Sequence, residues 1–269
     1  MTYLPLELPG LALASALLVV SGAISVAFRL GLEKSISMAA LRMVIQLAIV
    51  ALVLKFIFEV DAPVWTGLFA IAMLAAVAYE VTSRQDRRIR GWQAFLVGAG
   101  APFVAGLAAT LFATMAVIGN EPWYAPRYLL PILGMMLGNA LSGVALVLDT
   151  ITEGAARERA VIETRLALGE PRFEAMGGVL GRGLKTGLMP ILTAMAATGI
   201  VSLPGMMTGQ ILAGVSPVQA AKYQVMILFL ISGATALAVL MAGLGAILLL
   251  SDDRHRLRLE RLTAPRTTA

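Results

Sequence analysis

The chain has 269 residues, of which 59% are hydrophobic and 14% charged, with a formal net charge of +5; its mean hydropathy is +0.85. Soluble domains carry roughly 25% charged residues, so this composition argues against a water-soluble globule. There is no cysteine and one histidine, His255, in the charged C-terminal stretch. That excludes disulfides, thiol catalysis, Cys-based zinc sites, and His-based triads or metal clusters in the apolar body.

In chain order, the first uncharged run is Leu8–Phe28, long enough for a helix that needs ~20 apolar residues to span. The ten residues at the start carry Glu7 and no Lys or Arg, so this run reads as a retained span and not a cleaved signal. A second span lies around Ile36–Phe58, with Arg42 and Lys55 near its ends, where long side chains reach the headgroups. Ala62–Tyr79, Gly91–Asn120 and Tyr128–Leu148 follow as the third to fifth spans. Thr186–Ala221 is uncharged for 36 residues and is punctuated by Pro204-Gly205 and Pro217. It reads as a sixth span followed by an irregular, partly re-entrant stretch. Tyr223–Ser251 is the seventh. The expectation is an all-α polytopic membrane protein of about seven helices, one domain over 1–269.

The basic residues sort by side. Eighteen of the 21 fall in the connections Arg29–Arg42, Arg84–Arg90, Arg157–Lys185 and Arg254–Arg266, leaving Lys55, Arg127 and Lys222 opposite. By the positive-inside rule the N-terminus is outside and the C-terminus inside the cell membrane. The net charge thus belongs to topology and anionic lipid, not to nucleic acid.

One internal segment is long, from 150 to 186, and a charged tail occupies 252–269. Glu153/Arg157 and Arg159/Glu163 are spaced i,i+4, which favours helix continuing out of the fifth span. Ala155, Ile162 and Leu166 share a stripe that needs burial. Gly169-Glu170-Pro171 stops that helix, and a second starts near Arg172. The result is a cytoplasmic helix–elbow–helix between spans five and six, with Arg165, Glu170, Arg172 and Phe173 at its tip. G-R-G-L-K-T, Gly181–Thr186, lacks the spacing of a phosphate loop, so no energy source is encoded here.

Within the spans, Gly134, Gly138 and Ser142 form a small-residue stripe, and Gly205 and Gly209 repeat the spacing after Pro204. Asn139 sits mid-span, where an amide needs a partner or a water-filled path. Gln210 sits in the irregular stretch, where backbone opens for coordination. Met135, Met136, Met206 and Met207 are two pairs beside glycines; thioethers ligate soft metals but mostly fill cores. Asp149 closes the fifth span and Glu80 the third, each as an interfacial cap in preference to a ligand at the mouth of the pathway. The span centres hold no ionisable residue, which weighs against an ion-coupled secondary transporter and against an intramembrane enzyme.

The stretch E-T-R-L-A-L-G, Glu163–Gly169, resembles the EAA-type loop through which permease subunits of ATP-binding-cassette (ABC) transporters contact their ATPase. Thr164 and Arg165 stand where that loop has two alanines. A longer set carries a second resemblance: L-P-I-L-G-M-M-L-G-N (Leu130–Asn139), A-L-G (Ala167–Gly169), G-L-M-P (Gly187–Pro190) and G-I-V-S-L-P-G-M-M-T-G-Q-I-L-A-G (Gly199–Gly214). These blocks are similar to the FetB-type iron-export permeases of bacteria, whose plant relatives include permease halves linked to aluminium tolerance. The resemblance implies an inner-membrane permease subunit, two copies of which pair with two separate ATPase subunits. ATP binds to the partner, and no cofactor is implied for this chain. It implies iron export in bacteria, with a nucleotide sugar proposed for plant relatives. Glu163, Arg165, Gly169, Glu170, Pro171, Arg172 and Phe173 are the expected ATPase contact. Asn139, Gln210, Met135, Met206 and Met207 are the candidate pathway residues, and no metal ligand set is assigned.

Overall fold

A computed structural model describes residues 8–84, 87, 89–119, 121–252 and 254–263. Of the residues weighed above, the first seven, Arg88, Asn120, Arg266 and the side chain of Arg84 lie outside the described set. Long helices dominate: α1 (Leu8–Ala27), α2 (Glu33–Val60), α3 (Pro63–Arg84), α4 (Trp92–Phe112), α5 (Pro126–Arg157), α6 (Arg159–Ala167), α7 (Arg172–Ala175), α8 (Gly177–Ala197), α9 (Gly205–Leu212) and α10 (Pro217–Leu249). A π-helical turn, Ala113–Ile118, prolongs α4. Among the described residues there are isolated β-bridges but no strand.

Six of these helices, α1 to α5 and α10, are long and apolar enough to cross a membrane. The segment expected as the sixth of seven spans is α8, which begins ahead of the uncharged run and takes Arg182 and Lys185 into its first half. After it the chain breaks as the prolines and glycines require. Gly199 N–H donates to Ser202 O at 2.9 Å, Pro204 caps α9, and Ser216 caps α10 by accepting from Gln219 N–H.

The core is built on α5 and α10, with α4, α8 and α3 packed around them. On α5 the buried side chains Leu133, Leu137, Ala140, Val144, Val147 and Ile151 alternate steps of four and three, the seam of a helix facing other helices along its whole length. α10 answers with Ala234, Ala238, Ala242 and Ala246, each buried. Lipid is as apolar as leucine, so close van der Waals packing of small residues holds such helices together. The closest crossing joins α5 to α8. A Cβ added to Gly143 would lie 2.8 Å from Gly187 O, and one added to Gly187 would lie 2.8 Å from Gly143 O. Gly154 against Val179 and Gly183 against Ile151 continue the seam. The stripe read from sequence sits one face away. A Cβ added to Gly134 would lie 3.2 Å from Met73 Cε, but Gly138, Gly205 and Gly209 face open space.

α1 packs on α2 and presents Leu13, Leu17 and Val19 outward, a surface suited to hydrocarbon and not to water. The basic connections gather at one end of the molecule. Arg42 of α2 pairs with Glu80 of α3 at 3.0 Å; Glu80 lies in the last turns of α3, whereas Arg42 sits well inside α2, which begins at Glu33 and not near Ile36. Arg90, between α3 and α4, donates its N–H to Arg261 O at 2.6 Å.

Candidate functional site

Two assemblies stand out at opposite ends of the bundle. The first is the elbow. α5 runs for 32 residues, about 48 Å at 1.5 Å per residue, so its last turns pass beyond a ~30 Å hydrocarbon layer. The chain turns at Glu158, which pairs with Arg182 of α8. α6 then lays Ile162 (2% exposed) into the core beside Ala155, with Leu166 packed against the same cluster. Glu163 stays on the outer face in an i,i+4 pair with Arg159 at 2.8 Å.

α6 ends in a Schellman motif. Gly169 N–H donates to Leu166 O and Glu170 N–H to Arg165 O, each at 3.1 Å, which demands the left-handed φ of +92° that Gly169 supplies. Pro171 then caps α7. Arg165 fastens the corner from inside, with Nη2 2.7 Å from Glu170 Oε2 and Nη1 donating to Ala175 O at 3.1 Å. Leu168 (79% exposed) and Phe173 (40% exposed) are left as an apolar tip.

Arg172 is held by the segment after α10, which composition marks only as a charged tail. Its backbone N–H donates to His255 Nδ1 at 3.3 Å, and Nη1 reaches Ser251 Oγ at 3.5 Å and Asp252 O at 3.4 Å. Its guanidinium also lies over the Phe173 ring at 5.9 Å. Asp252 organises this strap. Oδ1 accepts the N–H groups of Arg254 and Arg256, and Oδ2 accepts the guanidinium N–H groups of Arg256 and Arg258. The Arg256 backbone N–H, followed by its guanidinium, holds the Asp252 carboxyl at about 2 against 3.8 ordinarily, with desolvation opposing. Arg261 returns to Leu249 O at 2.6 Å, and Leu262 bridges Ile89. The strap therefore links the elbow, the end of α10 and the α3–α4 connection.

The second assembly is a cavity of about 510 Å³ between the first halves of α5 and α10, the π-helical turn and α9. It brings together three residues singled out from sequence: Met135, Met206 and Gln210. A second Schellman motif closes α9, with Val215 N–H on Gln210 O at 2.9 Å and Gly214 N–H on Ile211 O at 3.0 Å; it sets Val215 into the cavity wall. Gln210 Oε1 is buried without a hydrogen-bond partner. Arg127, Tyr128, Tyr223 and Met226 complete the polar and thioether lining. Asn139 lies elsewhere, on the exposed face of α5, where Nδ2 donates to Met135 O at 2.9 Å. Met207 is half-buried and does not line the cavity.

The chain is similar over most of its length to known membrane proteins. The signature of the uncharacterised protein family UPF0014 matches residues 8–248. The chain belongs to the UPF0014 family. It is 32% identical over 251 residues to the Escherichia coli protein named probable iron export permease protein FetB, covering 92% of this chain and 93% of that one. It is 31% identical over 229 residues to the rice UPF0014 membrane protein STAR2, covering 85% and 78%. It is likewise 31% identical over 227 residues to the Arabidopsis protein ALUMINUM SENSITIVE 3, covering 84% and 81%. No solved structure matches.

Within this UPF0014 member, sequence reasoning anticipated the helix–elbow–helix and three of the cavity's twelve lining residues, Met135, Met206 and Gln210. It missed Arg127 and Tyr223, which lie at the starts of helices more than ninety residues apart. A signal was available: Arg127 and Lys222 are two of the three basic residues outside the four basic connections.

Proposed function

We propose that this UPF0014 protein is the permease subunit of an ABC transporter that exports iron, driven by a separate ATPase subunit docked at the elbow. The observation that carries this reading is the elbow itself. A helix corner is locked from within by Arg165 and Glu170 and from behind by the strap, with Leu168 and Phe173 left outward. A rigid apolar tip suits a partner that must push on the bundle. Similarity over 92% of the chain to a protein named for iron export supports the cargo. The excess of basic residues at this end supports a cytoplasmic position for it, where ATP is available. The membrane is the inner membrane in this reading, and two copies of the chain pair with two ATPases.

The test keeps the lock and removes the tip. Leu168→Glu with Phe173→Ala leaves Arg165, Glu170 and Arg172 in place. The expected result is loss of the co-purifying ATPase and of ATP-driven ⁵⁵Fe movement in vesicles, with the permease still extracted as a folded protein. Undiminished recovery of the ATPase sinks the docking site. Iron movement in the unaltered complex that is the same with and without ATP sinks the export reading.

A further inference from the structure

We propose that the cavity between α5, α9 and α10 binds a hydroxylated organic anion, either carrying iron as a chelate or travelling without it, and does not bind the bare ferrous ion. This rests, for its role in transport, on the permease reading above. Four observations carry it.

Charge comes first. Arg127 lines the cavity, and a hollow of about 220 Å³ that shares Ile118, Tyr223 and Met226 with it is lined by Lys222. Among the described residues no carboxylate lines either space. Glu121, on the loop before α5, lines a separate hollow with Trp123 and Met115. A cation entering the cavity meets the like charge of Arg127 and passes near that of Lys222, with no lining carboxylate among the described residues to offset them.

The donor set is the second observation. Met135, Met206 and Met226 offer thioether sulfur, which suits soft metals, whereas iron that is not in a sulfur cluster favours nitrogen and oxygen. Among the described residues no group of three His, Asp or Glu side chains is placed to hold a metal ion. Arg127, whose guanidinium also lies over the Phe58 ring at 6.0 Å, and Tyr128 and Tyr223 are instead lining residues of the kind that donate to carboxylate or phosphate oxygens.

Third, Gln210 Oε1 is a buried acceptor left without a donor. Such an atom costs free energy until something donates to it. A ligand hydroxyl does so, which is why the anion is a hydroxylated one. Size is the fourth observation. At roughly 30 Å³ per water molecule, an ion with six waters fills well under half of the cavity's 510 Å³, whereas cavities of ~300–1,000 Å³ are those that take small organic ligands.

The experiment uses the purified full chain in nanodiscs and isothermal titration with four probes: citrate, iron(III)–citrate, tricarballylate (citrate without its hydroxyl) and anaerobic Fe²⁺. Citrate and iron(III)–citrate are expected to bind, tricarballylate more weakly, and Fe²⁺ least. Arg127→Gln should weaken citrate binding about tenfold, the worth of one charge-assisted hydrogen bond, and Arg127→Lys should restore most of it. Gln210→Leu should erase the preference for citrate over tricarballylate while leaving tricarballylate binding as it was. Tighter binding of the iron-loaded complex than of citrate assigns the chelate as ligand; equal binding assigns the anion itself. The proposal is overturned if Fe²⁺ binds more tightly than either anion. It is also overturned if Arg127→Gln, eluting like the parent protein on size exclusion, binds citrate within about twofold of it. ATP-driven iron movement with no effect of Arg127→Gln on binding defeats this proposal alone. Arg127-dependent citrate binding with no ATP-driven movement defeats the permease reading and leaves the site.

Discussion

Gly143 and Gly187 are where one atom decides the packing. Each faces the other's carbonyl oxygen at 2.8 Å from the position a Cβ would take, and backbone on both sides has nowhere to yield. Gly143→Ala or Gly187→Ala is therefore expected to destabilise the bundle by about 1–3 kcal/mol, the usual cost of overpacking, seen as a lower melting temperature in detergent. Gly138→Ala is the control. Its Cβ enters open space, so alanine's better helix propensity, up to ~1 kcal/mol, is expected to leave the melting temperature unchanged or raised. Spacing alone pointed to Gly134, Gly138 and Ser142 because sequence reveals a small stripe but not which neighbour it faces. Met135, Met206 and Gln210 were legible for a different reason. Polar or soft side chains beside glycines in a broken helix have few places to go, and here they converge on one cavity. Asn139 has the same polarity but turns its amide back to Met135 O, a local solution that any helix permits and no pattern announces.

At the level of elements, the elbow was readable because every step of it is local. The i,i+4 pair Arg159–Glu163, the glycine that must be left-handed and the proline after it lie within thirteen residues. The strap was not, because its contacts join Arg172 to Ser251, Asp252 and His255 across some eighty residues. Asp252 is the point at which it comes apart. Its carboxyl is depressed to about 2, so the stabilisation it provides is complete above its unfolded value of 3.8 and is lost as pH falls through about 2. Hydrogen exchange is expected to show the Arg254 and Arg256 amides protected from neutral pH down to about 4 and released progressively as pH falls from there through about 2. Asp252→Asn should release them already at neutral pH. Equal protection in the variant and the parent would show that the strap is held without the charge.

For the molecule as a whole, composition and the distribution of Lys and Arg were enough to give an all-helical membrane protein with one basic end. What they could not weigh was α8, whose Arg182 is bound to Glu158 while its Gly183 and Gly187 lie against α5; a charge count cannot tell a buttressed helix from an exposed one. The absence of cysteine from the sequence makes the topology directly measurable. Leu168→Cys at the elbow and Val218→Cys at the start of α10, exposed by 79% and 70%, are expected to react from opposite faces of the membrane with an impermeant maleimide. Val218→Cys should label in intact cells and Leu168→Cys only after the cells are opened. Labelling of both from outside would reverse or abolish the proposed orientation. The strap, finally, bears on how the molecule is made. Synthesis proceeds from the N-terminus, yet the corner between α6 and α7 is fastened by residues translated after α10. The corner's own turn and its Arg165–Glu170 pair need nothing translated later, but its fastening at Arg172 waits until residues 251–255, after α10, have been made. Translation order thus makes the bracing of that corner a late event, absent from any chain arrested before the strap has emerged.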